Sequence, residues 1–123
     1  MKALLSVKPE FASKILSGEK KYEYRKQVFK QPVESVLLYS TMPVGKIVGE
    51  FTVEEIVSGT PQALWKKTKD YSGISKSFFN SYFSGREKSF AIKIGVVTKY
   101  ESYIDPYELD PTFVAPQSYK YIK

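Results

Sequence analysis

Gly18-Glu19-Lys20-Lys21-Tyr22-Glu23-Tyr24-Arg25 carries the chain from the end of a helix straight into a strand, and the rest of the fold is read outward from it. On its N-terminal side Pro9 suits a first helical position, Phe11/Ile15 and Ala12/Leu16 repeat four apart, and Gly18 stands where a left-handed cap closes a helix. Glu10, Ser13, Lys14 and Ser17 then face water. Residues 20–26 have no helical stripe; Tyr22 and Tyr24 alternate with charges, which predicts a strand. The apolar run at residues 3–7, stopped by Lys8-Pro9, predicts a buried strand before the helix. The order is strand, helix, strand.

Downstream, residues 33–39 read as a buried strand and Ser40-Thr41-Met42-Pro43 as a loop. Residues 45–57 give the longest strand signal, with Ile47, Gly49, Phe51 and Val53 on one face and Val48, Glu50, Thr52 and Glu54 on the other. Thr60-Pro61 predicts the start of a helix through Thr68 that carries Trp65. A further helix follows Gly73, where Phe78, Phe79, Tyr82 and Phe83 form a wide stripe read as buried packing, and Gly85 ends it. Residues 89–98 alternate as a central strand. Pro106, Pro111 and Pro116 predict an extended loop, with a short last strand over residues 119–122. Five or six mostly antiparallel strands with helices inserted between them predict an α+β fold, a small curved β-sheet or barrel, in a single domain spanning residues 1–123. The uniform strand–helix alternation of a dinucleotide-binding fold is missing.

The composition agrees with a compact chain: 123 residues, 42% hydrophobic and 15% aromatic, enough to build a core without disulfides or metal. Zero Cys and zero His exclude thiol nucleophiles, Ser-His relays and structural zinc. Catalysis would have to use Lys, Glu, Asp, Tyr, Ser or Thr, which favours binding over chemistry, and no metal or cofactor is expected. Apolar stretches such as residues 36–39 fall far short of the roughly 20 residues of a membrane-spanning helix. The opening residues resemble the start of a signal peptide, but the apolar run stops at Val7 with no cleavage pattern after it, so a cytoplasmic chain is expected. Of the net charge of +6, most lies in residues 1–46, where nine Lys/Arg face four Glu. A localised positive field among ten Tyr and eight Phe suits a polyanion whose bases stack on rings; it is equally what a merely basic, solvated surface would show.

Strand parity puts Glu23 and Arg25 on one face, and the turn at Gly18 can swing Lys20 over it. Two cations and a carboxylate sharing a cleft would bind an anion or a base edge: Arg25 forks onto phosphate or carbonyl, Lys20 adds a point charge, and Glu23 accepts from exocyclic amines or holds Arg25. The same residues splayed on the surface would be a salt bridge worth at most about 1 kcal/mol. Ser6-x-Lys8 ends the first strand beside a helix start, a favourable place for phosphate. Lys66-Lys67-x-Lys69 reads as a solvated helix face that could touch a nucleic-acid backbone.

The pattern Gly-x-Lys-x-x-Glu-x-Arg, met by Gly18, Lys20, Glu23 and Arg25, resembles the signature of the ASCH (activating signal cointegrator homology) domain of the PUA-like superfamily. The likeness extends to Leu5-Ser6-Val7-Lys8-Pro9, Leu38-Tyr39-Ser40-x-x-Pro43, Val48-Gly49-Glu50-Phe51, Tyr82-Phe83-x-Gly85, Phe90-Ala91-Ile92 and Pro116-Gln117-Ser118-Tyr119, nearly the whole chain and close to the small bacterial and phage branch. The resemblance implies a PUA-like β-barrel with a cleft near the first helix that binds RNA or a modified nucleotide, and a transcription- or translation-linked regulator as its setting. The cleft would take Ser6, Lys8, Lys20, Glu23, Arg25, Tyr39, Ser40, Ser118 and Tyr119, with Tyr39, Tyr119 and Tyr121 as stacking surfaces and Gln117-Ser118 on a base edge. Some members are amidohydrolases on acetylated cytidine with a nucleophilic Thr two residues before the motif Arg. Here that position is Glu23, which turns the expectation away from that chemistry. A hydrolase using Lys20 and Glu23, on acetylated cytidine or as a ribonuclease, is the alternative, with Glu23 as a base on a bound water or Ser6 or Ser40 reaching the cleft in its place; a protein-recognising adaptor is the third. A monomer is the default.

Overall fold

The computed structural model describes residues 1–122. Pro9 opens helix α1 (Pro9–Ser17) and Gly18 closes it at φ 88°, a left-handed turn that only glycine adopts without strain. The chain reverses there into β2 (Tyr22–Arg25), having arrived through β1 (Lys2–Val7). The strand–helix–strand unit is as the sequence predicts.

Strands β3 (Ser35–Ser40), β4 (Lys46–Gly59), β5 (Ser89–Ile104) and β6 (Tyr119–Ile122) complete a six-stranded sheet in the order β2-β5-β4-β3-β1-β6. Among the described residues only β1 and β3 run parallel, because the connection between them crosses over through α1 and β2; the other pairs are antiparallel. The sheet curls into a half-barrel, with β2 at one edge and β6 at the other. Between β4 and β5 lie α2 (Pro61–Thr68), a single 3₁₀ turn (Lys69–Tyr71) and α3 (Lys76–Tyr82). Thr60 and Ser75 cap the two helices, each side chain accepting from a backbone N–H three residues on.

Three apolar clusters hold the curl. Ala12 and Ile15 of α1 bury against Leu5, Val7, Val36, Leu38, Val48, Phe51 and Ile92. Leu64, Phe79 and Phe83 pack on Tyr24 and Ala91 from α2, α3 and the segment after it. Leu4, Tyr39, Ile47 and Phe113 form the third, under the C-terminal segment.

Regular alternation misplaces part of β4 and β5. Ile47 and Phe51 were expected on one face, yet Ile47 lies in the third cluster while Phe51 joins Val48 in the first; register shifts on β4 after Ile47, Phe51 and Val53 change which side chains face in. Val96 of β5 is exposed although Ile92 and Ile94 of the same alternating set are buried. The Pro-rich segment is also more regular than expected: β5 continues to Ile104 and Pro106 opens the short helix α4 (Pro106–Leu109), capped by Asp105.

Candidate functional site

A hollow of about 400 Å³ opens between α1, β2, α3 and the C-terminal segment, lined in part by Ser6, Lys8, Lys20, Glu23 and Arg25. Its floor is ionic and buried: Lys20, Glu23 and Arg25 keep only 1%, 6% and 9% of their surface. Charges this far from water persist only when paired. Arg25 Nη2 and Nε donate to Glu23 Oε2 at 2.9 and 3.2 Å, which leaves Oε1 as the free acceptor, 4.0 Å from Lys20 Nζ. Lys20 Nζ donates to the Ser72 carbonyl and lies 4.8 Å from the Tyr24 ring centre and 5.4 Å from that of Phe11. An ammonium has three donors, so this one keeps capacity for a guest.

Burial pulls the Lys20 pKa down from 10.5 to about 8; Glu23 opposes the shift, while Lys14 and Arg25 add to it. A tenth or so of the amine is therefore neutral at pH 7, against a negligible fraction for an ordinary lysine. Burial likewise pushes the Tyr24 hydroxyl up to about 12, opposed by its 2.7 Å hydrogen bond to Thr68 Oγ1.

Arg25 has a second task. Its Nη2 also donates to the Ser6 carbonyl and its Nη1 to Ser118 Oγ at 3.3 Å, so one guanidinium on edge strand β2 ties across the open side of the half-barrel to β1 and the segment entering β6. Ser6 completes the seam, its Oγ donating to the Pro116 carbonyl at 2.7 Å and its N–H to the Ser118 carbonyl at 2.9 Å.

Above the floor stands an aromatic wall. Phe11, Phe78, Tyr82 and Ile74 line the hollow, with the Phe78 and Tyr82 rings nearly parallel, 11° apart. Lys8 Nζ sits 5.6 Å from the Phe78 ring centre and Lys26 Nζ 4.8 Å from that of Tyr82, two exposed cations on the wall itself. The four-aromatic stripe assigned to packing thus divides: Phe79 and Phe83 are core, Phe78 and Tyr82 face the hollow. At 100° per residue the two pairs point apart, and that width was the available signal.

Other expectations land elsewhere. Tyr39 is buried against Phe113, 5.4 Å between ring centres, because its parity on β3 matches Leu37. Ser40 lies on the opposite face and lines a separate cavity beside Ala12, Leu16 and Lys99; Thr41, one residue on, lines the hollow instead. Tyr119 packs edge-on against Phe29, and the Tyr121 hydroxyl accepts from the Lys30 and Gln31 N–H groups, so both tyrosines pin residues 28–31 rather than face the hollow. Ser118 does not line the hollow but bonds two residues that do, Arg25 and Ser6, whereas Pro116 and Gln117 line it. The start of α1 offers less to an anion than expected, since Pro9 has no N–H and that of Phe11 turns back to the Lys8 carbonyl. Lys66, Lys67 and Lys69 are exposed and outside the lining. No group of three or more Asp or Glu side chains comes together among the described residues, which leaves Glu23 as the carboxylate of the hollow. No helix among them is long and apolar enough to cross a membrane.

Known proteins share this fold. The crystal structure of ASCH from Zymomonas mobilis superposes with a TM-score of 0.93 at 28% identity, over 99% of this chain and 87% of that one. A tyrosine-to-phenylalanine variant of it gives 0.93 at 28% identity, over 99% and 90%. An ASCH domain-containing ribonuclease of Zymomonas mobilis is 33% identical over 90 residues, 72% of this chain and 61% of its own length. The large ribosomal subunit protein uL22 of Ureaplasma parvum serovar 3 is 31% identical over 121 residues, which span 98% of this chain and 39% of that protein. The chain thus covers less than two thirds of either of these two relatives. With the ASCH domain pattern matched across residues 5–112 and the half-barrel reproduced in full, the chain belongs to the ASCH domain family.

Proposed function

We propose that this protein binds RNA and seats one unpaired nucleotide in the hollow. The observation that carries the reading is a buried ionic floor beneath an aromatic wall: Glu23 Oε1 and Lys20 Nζ, 4.0 Å apart, offer an acceptor beside a donor, the complement of a base edge. A base reaching them must leave its pairing partner, because Lys20 and Glu23 are buried. The ring stacks on the wall, and Lys8 and Lys26 meet the flanking phosphates. The ribonuclease name of a relative that aligns with most of this chain supports RNA as the polyanion. Anisotropy titration of a labelled single-stranded RNA tests it. Lys20→Met and Tyr82→Ala are expected to lose binding while remaining folded; wild-type affinity in both would place the RNA elsewhere.

The lowered Lys20 pKa and the same relative favour a second reading, cleavage of the bound RNA. The 2′-hydroxyl gives its proton to the neutral Lys20 amine, its oxygen bonds to phosphorus as the P–O5′ bond breaks, and the departing O5′ takes a proton from water. The products are a 2′,3′-cyclic phosphate and a 5′-hydroxyl. The rate then rises with pH and levels above about pH 8, where the amine is already free. A rate that is flat from pH 6 to 9, or cleavage that persists in Lys20→Met, rejects the step.

A further inference from the structure

Residues 72 and 73, between the 3₁₀ turn and α3, are far from Lys20 in sequence but define its position. Gly73 has φ +67°, and a Cβ built there would lie 2.6 Å from Lys20 Cβ, 2.6 Å from Cγ and 2.9 Å from Cδ. Real side chains do not approach so closely, so the Lys20 stem occupies the space that Gly73 leaves empty. The neighbouring carbonyls are both spent on lysines: Ser72 O accepts from Lys20 Nζ and Gly73 O from Lys14 Nζ at 3.1 Å. Ser72 Oγ locks the turn by donating to the Ile74 carbonyl at 2.9 Å, and the Lys21 N–H donates to the Tyr71 carbonyl at 2.9 Å. The same stretch continues into Ile74, Phe78 and Tyr82, the wall of the hollow.

We infer that Gly73 is a positioning residue of the pocket: its absent side chain is the slot that holds Lys20, and its left-handed backbone sets the Ser72 carbonyl that fixes the ammonium at the floor. The inference rests on the proposed role of Lys20 for its functional meaning, but its geometry is testable without RNA. Gly85 supplies the control. It has φ +77° and nothing within 4 Å of a built Cβ, so alanine there brings backbone strain alone.

Competitive acetylation of lysines, read by mass spectrometry across pH, gives the titration midpoint of Lys20 in each variant. Gly85→Ala is expected to keep it near the value of about 8, and Gly73→Ala to move it up towards 10.5 as the side chain is pushed out of its slot. An unchanged midpoint in folded Gly73→Ala overturns the inference. Should Gly73→Ala fail to fold, Lys20→Gly removes all three crowding atoms. Gly73→Ala in that background is expected to fold and to lower the melting temperature no more than Gly85→Ala does in the same background; an equal failure there also overturns the inference. Loss of RNA binding by the wild type would refute the functional reading without moving either result.

Discussion

A lysine with 1% of its surface exposed is a stability cost accepted at one position, and that cost has a sign. Lys20 binds its proton less tightly folded (about 8) than unfolded (10.5), so the unfolded chain holds more protons between those values and stability rises with pH across them. At about 1.4 kcal/mol per unit the rise is about 3 kcal/mol. Tyr24 works against it above pH 10, since its raised pKa contributes stability that is lost as pH climbs towards 12. The clean window is pH 8 to 10. Lys20→Met is expected to melt at or above the wild type at pH 7 and to lose that advantage by pH 9.5; calorimetry at the two pH values checks both. Glu23→Gln is the opposite case. It leaves Lys20 and Arg25 buried without a countercharge, a loss of about 3–5 kcal/mol, and is expected to lower the melting temperature by about 10 °C or more while driving the Lys20 pKa further down.

At the level of single elements, α3 carries a core residue and a proposed recognition residue three positions apart. Phe79→Ala empties a core position and is expected to cost about 3–5 kcal/mol in denaturant unfolding. Tyr82→Ala removes a stacking surface and is expected to cost about 1–3 kcal/mol of RNA binding with a much smaller loss of stability. If both variants lose stability equally and neither loses binding, the wall is only packing. This helix also marks what the sequence could convey. Pro9, Gly18 and Thr60 announce element ends through local chemistry, and Lys20, Glu23 and Arg25 were legible because they share one strand and the turn before it. That Phe78 and Tyr82 point away from Phe79 and Phe83 could be read from helical spacing, but that they meet Thr41 in one hollow follows from the curl of the sheet, which no local spacing encodes. Tyr39 and Tyr119 were misplaced for the same reason: the partners that claim them, Phe113 and Phe29, come from distant segments. Register shifts on β4 defeat alternation outright.

On the scale of the molecule, a half-barrel has an open side, and this one uses it twice. Arg25 ties β2 to Ser6 and Ser118 across the gap, and the hollow lies along the same seam, so the group that closes the fold also holds the carboxylate proposed to receive the guest. Charge then sets the response to salt. With Lys8 and Lys26 as the phosphate contacts, log affinity for single-stranded RNA is expected to fall against log salt with a slope of about −1.4, and Lys26→Ala to reduce its magnitude by roughly 0.7. A slope near zero would mean that phosphate plays no part. The central claim is that the Lys20, Glu23 and Arg25 floor is where RNA is held, and it is tested most directly by titrating one labelled single-stranded RNA into the wild type and Lys20→Met at equal salt, with a melting curve of each. The account predicts tight binding by the first, at least a tenfold loss in the second and no fall in melting temperature; equal affinity in two folded proteins would contradict it.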